Sequence, residues 1–133
     1  MEAIKMKASD LTKVWTMPDN TRLTAKQYSI RLPVHVAAKI SALCDLYPQK
    51  SRTEIIGDLL TAALNGVEES FPSIKGPHAN DDETGSYYED VGPAKQYRAI
   101  ANKYYKELEK EMGNKNPADL FHSTYVCNPD KDK

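Results

Sequence analysis

Polar and apolar side chains alternate along Lys26-Gln27-Tyr28-Ser29-Ile30-Arg31-Leu32. A period of two predicts a strand, with Tyr28, Ile30 and Leu32 on one face and Gln27, Ser29 and Arg31 on the other. At Pro33 the period changes. Val36, Ile40, Leu43 and Tyr47 recur at helical spacing with Ala37 and Cys44 beside them, which predicts a helix over 33–47. Pro33 suits its first turn and Pro48 stops it. Ser51-Arg52-Thr53-Glu54 then has the form of a capping box, opening a second helix over 52–64. Ile55, Ile56, Leu59, Leu60, Ala63 and Leu64 give that helix a wide apolar stripe, and Asn65-Gly66 reads as its stop.

The rest of the chain is less regular. Residues 1–25 read as a polar arm, with Val14-Trp15-Thr16 as a short strand before the turn signal Met17-Pro18-Asp19-Asn20. Residues 1–12 read as a partly disordered terminus. Residues 67–92 hold Pro, Gly, Ser and the cluster Asp81-Asp82-Glu83, and read as an acidic linker. A third helix is predicted over 93–112, opened by Pro93. Tyr97, Ile100, Ala101, Tyr104, Leu108 and Met112 mark one side, widened by Tyr105; Lys95, Arg98, Lys103, Lys106, Glu107, Lys110 and Glu111 mark the other. Gly113-Asn114 ends it, and 113–133 form a tail with one small apolar group, Leu120, Phe121, Tyr125 and Val126. The expected organisation is therefore an arm (1–25), a strand-helix-helix unit (26–66), a linker (67–92), and a helix and tail for oligomerisation or partner binding (93–133).

A lone strand leaves backbone groups unpaired on both sides, and a unit of this size buries too little apolar surface alone. A twofold partner solves both problems. The expected fold is mainly α: two strands pair antiparallel between copies and four helices close over them, with the extra helix appended. The dimer core would be Tyr28, Ile30, Leu32, Ile40, Ile55, Ile56 and Leu59. The outer face would then carry Gln27, Ser29 and Arg31 from both chains. A two-stranded ribbon fits the major groove of DNA, where Gln can pair with adenine and Arg with guanine bidentately, and Ser adapts to either. The start of the second helix, with Ser51, Arg52 and Thr53, would offer N–H groups to a phosphate, and Lys26 a cation.

Residues 27–64 resemble the ribbon-helix-helix repressors, such as Arc and MetJ. The resemblance is carried by Gln27-x-Ser29-x-Arg31 with apolar residues between, by Leu32-Pro33, by Ser51-Arg52-Thr53-Glu54-Ile55-Ile56, and by the ungapped distance from Pro33 to Glu54. It implies an obligate dimer, base readout by Gln27, Ser29 and Arg31, and phosphate anchoring near Ser51 and Arg52. The chain departs from the family in its turn, Pro48-Gln49-Lys50, where many members have Gly, and in its long terminal extensions.

Net charge is −1 over 133 residues, but its distribution is uneven: residues 1–66 carry nine Lys/Arg against six Asp/Glu, and residues 67–133 nine against 13. The basic excess falls on the segment assigned to DNA. Cys44 and Cys127 form no CxxC pair, and Cys44 reads as core packing; a reducing cytoplasm is the expected compartment. No apolar run suits a membrane span, so no membrane partner is expected. His35, His78 and His122 share no ligand spacing, and no nucleophile-base set or phosphate loop is present, so neither a metal, a cofactor nor an enzyme is expected.

The expected function is sequence-specific DNA binding by a homodimer that regulates transcription as a repressor, with higher-order assembly on DNA left open. Lys5, Lys7, Lys13 and Arg22 leave open an arm running along DNA. Residues 93–126 leave open a protein partner, and with it an antitoxin whose tail folds on a toxin. A plasmid partition or relaxosome protein, and a dimerisation module with no DNA role, are further readings.

Overall fold

A computed structural model describes residues 6–18, 22–83 and 85–121, and the backbone of 126–127. The chain divides into two units, Met1–Ser70 and Phe71–Lys133. Among the described residues there are four α-helices and a small antiparallel sheet, and no helix long and apolar enough to cross a membrane.

In the first unit a 3-10 turn, Ala8–Asp10, runs into α1 (Leu11–Val14); α2 (Val34–Leu46) and α3 (Arg52–Ser70) follow. The strand predicted at Val14-Trp15-Thr16 is instead the end of α1, where the Trp15 N–H returns to the Leu11 carbonyl at 2.9 Å. The reason is spacing: residues four apart share one side of a helical turn. Leu11 and Trp15 are each 2% exposed, packed with Ile55 and Ala62, and Met6, Val14, Leu43, Cys44, Tyr47 and Leu59 pack around them. The Trp15 indole N–H donates to Asp58 Oδ2 at 3.0 Å, and the ring lies 5.2 Å from that of Tyr47. Residues 6–18 are therefore a packed strap and not a loose arm.

The turn between α2 and α3 serves that strap. Gln49 Nε2 donates to the Trp15 carbonyl at 3.1 Å, and the Lys50 ammonium donates to the Met17 carbonyl. Lys50 is buried, with Glu54 3.6 Å away. The turn signal around Pro18 falls partly on residues 19–20, outside the described residues.

Helix α2 matches its predicted span closely. Helix α3 starts as predicted but continues beyond Asn65-Gly66 to Ser70. A mid-helix Gly costs only about 1 kcal/mol relative to Ala, and the Asn65 side chain is occupied elsewhere, donating to the Met6 carbonyl at 2.8 Å. Pro72, which disfavours helical backbone in the residue before it, follows at the true end.

The linker expected over 67–92 is folded, its first residues in the first unit and the rest in the second. Residues 67–70 are helical, and β1 (Lys75–Asp82) pairs antiparallel with β2 (Gly85–Asp90). The register slips on either side of His78, next to Pro77, which lacks an N–H for the ladder. On the far edge of β2 lies β3 (Val126–Cys127), pairing Tyr88 with Cys127 and Glu89 with Val126. Asp90 is buried and closes the base of the hairpin, accepting from the N–H groups of Ile74 (3.0 Å) and Gly92 (2.9 Å). Burial pulls its pKa up, but the hydrogen bonds from Ile74, Gly92 and Ser73 and the charge of Arg98 outweigh that, and it lies below its ordinary value. Gly92 has no room for a side chain, because a Cβ there would meet the Pro72 carbonyl at 2.7 Å.

Helix α4 (Pro93–Glu111) spans its predicted residues almost unchanged. Its end is a Schellman motif: Asn114 N–H bonds the Glu109 carbonyl, Gly113 N–H bonds that of Lys110, and Gly113 takes φ +96°. The buried side differs from the predicted stripe. Tyr97, Ala101, Tyr105 and Leu108 are half-buried and Glu109 is buried, but Ile100 and Tyr104 are more than half exposed. The helix is fixed by Tyr97, whose ring meets Phe71 at a tilt and Phe121 edge-on, and by Asn102, whose amide bonds both the N–H and the carbonyl of Phe121. Lys103, Glu107, Lys110 and Glu111 are exposed as predicted, while Lys95, Arg98 and Lys106 are half-buried, with Lys106 2.7 Å from Asp119. Of the small apolar group in the tail, Leu120 is exposed and Phe121 half-buried; the side chains of Tyr125 and Val126 lie outside the described residues.

Candidate nucleic-acid interface

Residues 27–33 carry no hydrogen-bonded secondary structure within the single chain. A strand is defined by its pairing, and among the described residues of its own unit this segment has no partner strand, the sheet that is described lying in the second unit. Gln27, Ser29 and Arg31 are exposed, and so are the intervening Tyr28 (64%), Ile30 (67%) and Leu32. Both faces of the alternating segment are therefore in water. Upstream, Thr24 Oγ1 donates to the Lys26 carbonyl at 2.7 Å; downstream, Pro33 occupies the N-cap of α2.

The start of α3 is a complete capping box. Ser51 Oγ accepts from the Glu54 N–H, and Glu54 Oε1 accepts from the Ser51 N–H, each at 3.1 Å. Ser51, Arg52 and Thr53 are exposed, and the Arg52 guanidinium reaches Ser41 Oγ at 3.5 Å. The positive end of the α3 dipole is thus open to solvent beside a cation, an arrangement suited to a phosphate. Lys50, one residue earlier, is turned inward to the strap.

The residues assigned to a dimer core fall into three groups, of which the exposed Tyr28, Ile30 and Leu32 are the first. Ile40 and Ile55 are buried within the single chain, Ile55 fully, while Ile56 and Leu59 are half-buried. Ile55 is enclosed by Leu11 and Trp15, a role for the strap that the sequence pattern had not supplied. Roughly a third to a half of a turn round α3 from Ile55 lies a second stripe. Ile56 is half-buried in it, and Leu60, Leu64 and Val67 are exposed. Val67 escapes a reading that stops the helix at Gly66, although the spacing from Leu60 and Leu64 continues unbroken. Between Ile55 and Val67 the one charged residue is Asp58, which is buried and bonded to Trp15 on the other side.

Among the described residues no group of three or more His, Cys, Asp or Glu is placed to hold a metal ion. His78 and Asp81 form an exposed pair 2.8 Å apart on β1, with His78 edge-on to Tyr88 and the Lys75 ammonium 4.0 Å from that ring. Hydrogen bonds from Ser86 and His78 hold the Asp81 carboxyl below its ordinary pKa. No protein-family model, curated protein or solved structure matches the chain.

Proposed function

We propose that the chain is a sequence-specific DNA-binding protein that acts as a homodimer and represses transcription. Two copies of Lys26–Leu32 pair antiparallel. Tyr28, Ile30 and Leu32 turn inward with Ile56 and Leu59, and Gln27, Ser29 and Arg31 of both copies enter the major groove. Lys26, Ser51, Arg52 and Thr53 flank the ribbon and meet phosphates.

The observation that carries this reading is the double exposure of the alternating segment, in a chain whose α3 also bears an apolar, uncharged outer stripe. Pairing would take the exposed Tyr28 and Ile30 out of water, and residues 27–33, which form no ladder within the single chain, would gain one from another strand. Depletion of charge is what distinguishes the centre of a protein interface, and α3 has it from Ile55 to Val67 apart from the inward Asp58. The open N-terminus of α3, with Arg52 beside it, suits the phosphate role.

The paired β1–β2 hairpin, and α4 with its Tyr97 against Phe71 and Phe121, favour a second unit that offers a folded surface over an antitoxin tail that orders only on its toxin.

Selection of bound sequences from random DNA at stated salt tests the proposal. A palindromic site is expected, and Arg31→Ala should relax its base preference and weaken cognate binding by roughly 1–3 kcal/mol. Absence of any preferred sequence would reduce the protein to a dimerisation module.

A further inference from the structure

We infer that the segment 6–18 closes the core of the α2–α3 hairpin inside one chain, so that each copy is folded before it pairs and pairing is a separate, concentration-dependent step. The second half of that statement rests on the dimer proposed above. A strand-helix-helix unit limited to 26–66 has too little apolar surface to fold alone, and would gain its fold only with a partner. The strap changes that condition.

It places Leu11 and Trp15 on Ile55 and Ala62, and Ile55 is 0% exposed with no second chain present. Four polar ties hold it along its length. Asn65 bonds the Met6 carbonyl, Asp58 the Trp15 indole, Gln49 the Trp15 carbonyl and Lys50 the Met17 carbonyl. Their partners come from α3 and from the α2–α3 turn, so the strap fixes the elements whose packing defines the hairpin. None of these ties uses residues 22–33 or the outer stripe of α3. The side of α3 that takes the strap and the side left for a second copy are different sides.

Assembly then becomes a control point. While single chains predominate, mass action makes the dimer rise with the square of total protein, so a twofold rise in protein gives about fourfold more dimer. A DNA site that needs the dimer responds more steeply than it would to pre-formed pairs.

Trp15 is the only Trp, so its emission reports the strap directly. The full chain is diluted through the range in which sedimentation shows the mass falling to that of one chain, 14.9 kDa. The expected result is unchanged, buried-type Trp15 emission and unchanged helical circular dichroism across that fall. A red-shifted emission and loss of helix in step with the mass overturns the inference. Where pairing is too tight to dilute, Leu60→Asp supplies the single chain; its Trp15 emission should match that of the parent, and water-exposed emission again overturns it. A chain that stays single at every concentration, on DNA as well as off it, with Trp15 buried, overturns the pairing proposed above and leaves the strap standing, so the two failures are distinguishable.

Discussion

The strap over 6–18 and the segment Lys26–Leu32 are both short, precede a helix and carry large apolar side chains, yet they end in opposite environments. Leu11 and Trp15 are buried; Tyr28 and Ile30 are mostly exposed. The difference lies in spacing and in backbone needs. Residues four apart fall on one side of a helical turn, and a helical turn bonds much of its own backbone. A short helix can therefore finish its burial against whatever groove its own chain offers. Residues two apart share a face only in a strand, whose N–H and C=O groups point sideways and need a second strand. One segment can be completed from within, and the other asks for a partner.

The comparison breaks most sharply at Ile30. Ile30→Asp would place two uncompensated charges at the heart of the paired ribbon. Dimer and DNA binding should be lost altogether in sedimentation and gel-shift measurements, while Trp15 emission is unchanged; a dimeric variant would show that this face does not turn inward. The mirror experiment is Trp15→Ala, which empties the strap's side of α3. A loss of about 3–5 kcal/mol in denaturant unfolding followed by helical circular dichroism is expected. A loss below about 1 kcal/mol would mean that the strap is an ornament on a hairpin stable without it.

Asp90 sharpens the contrast from the other unit. Asp90→Ala leaves the Ile74 and Gly92 N–H groups without their acceptor, at a cost of roughly 1–3 kcal/mol to the second unit. Since the folded-state pKa of Asp90 is lowered, its contribution is present above the unfolded pKa and fades as pH falls through the folded one. The protection of the Ile74 and Gly92 amides, taken as exchange relative to the intrinsic rate at each pH, should fall with acid in the parent chain and be low at every pH in the variant, with Trp15 emission unaffected in both. The smallest effect is expected at Ser51→Ala, about 0.5–2 kcal/mol from the lost cap; equal thermal stability of variant and parent would argue that the Ser51 side chain contributes nothing to α3.

Much of this could be read in advance wherever local rules decide. The period of 3.6 gave α2 and α4 to within a residue or two, Ser51 and Glu54 announced their capping box, and Gly113-Asn114 announced the Schellman end. The strap was illegible because its signal is a single turn, and the acceptor of its Trp15 lies 43 residues away at Asp58. The hairpin was illegible because β1 is built of Gly, Pro, His, Asn and Asp, residues with little β preference, and is held by Asp90 and the paired β2. The stripe on α4 misled because Ile100 and Tyr104 fit the period, yet Asn102 and Tyr97 decide which way the helix faces. At the candidate site the residue types and their alternation were legible. Their pairing was not, because it is a property of two chains.

That pairing is most directly tested by nuclear magnetic resonance on a dimer formed from one isotope-labelled and one unlabelled copy, with and without a selected DNA site. The account predicts interchain Hα–Hα contacts between symmetry mates within Lys26–Leu32, with Gln27, Ser29 and Arg31 resonances shifting when DNA is added. A dimer that binds DNA with no interchain contact anywhere in those seven residues would contradict it.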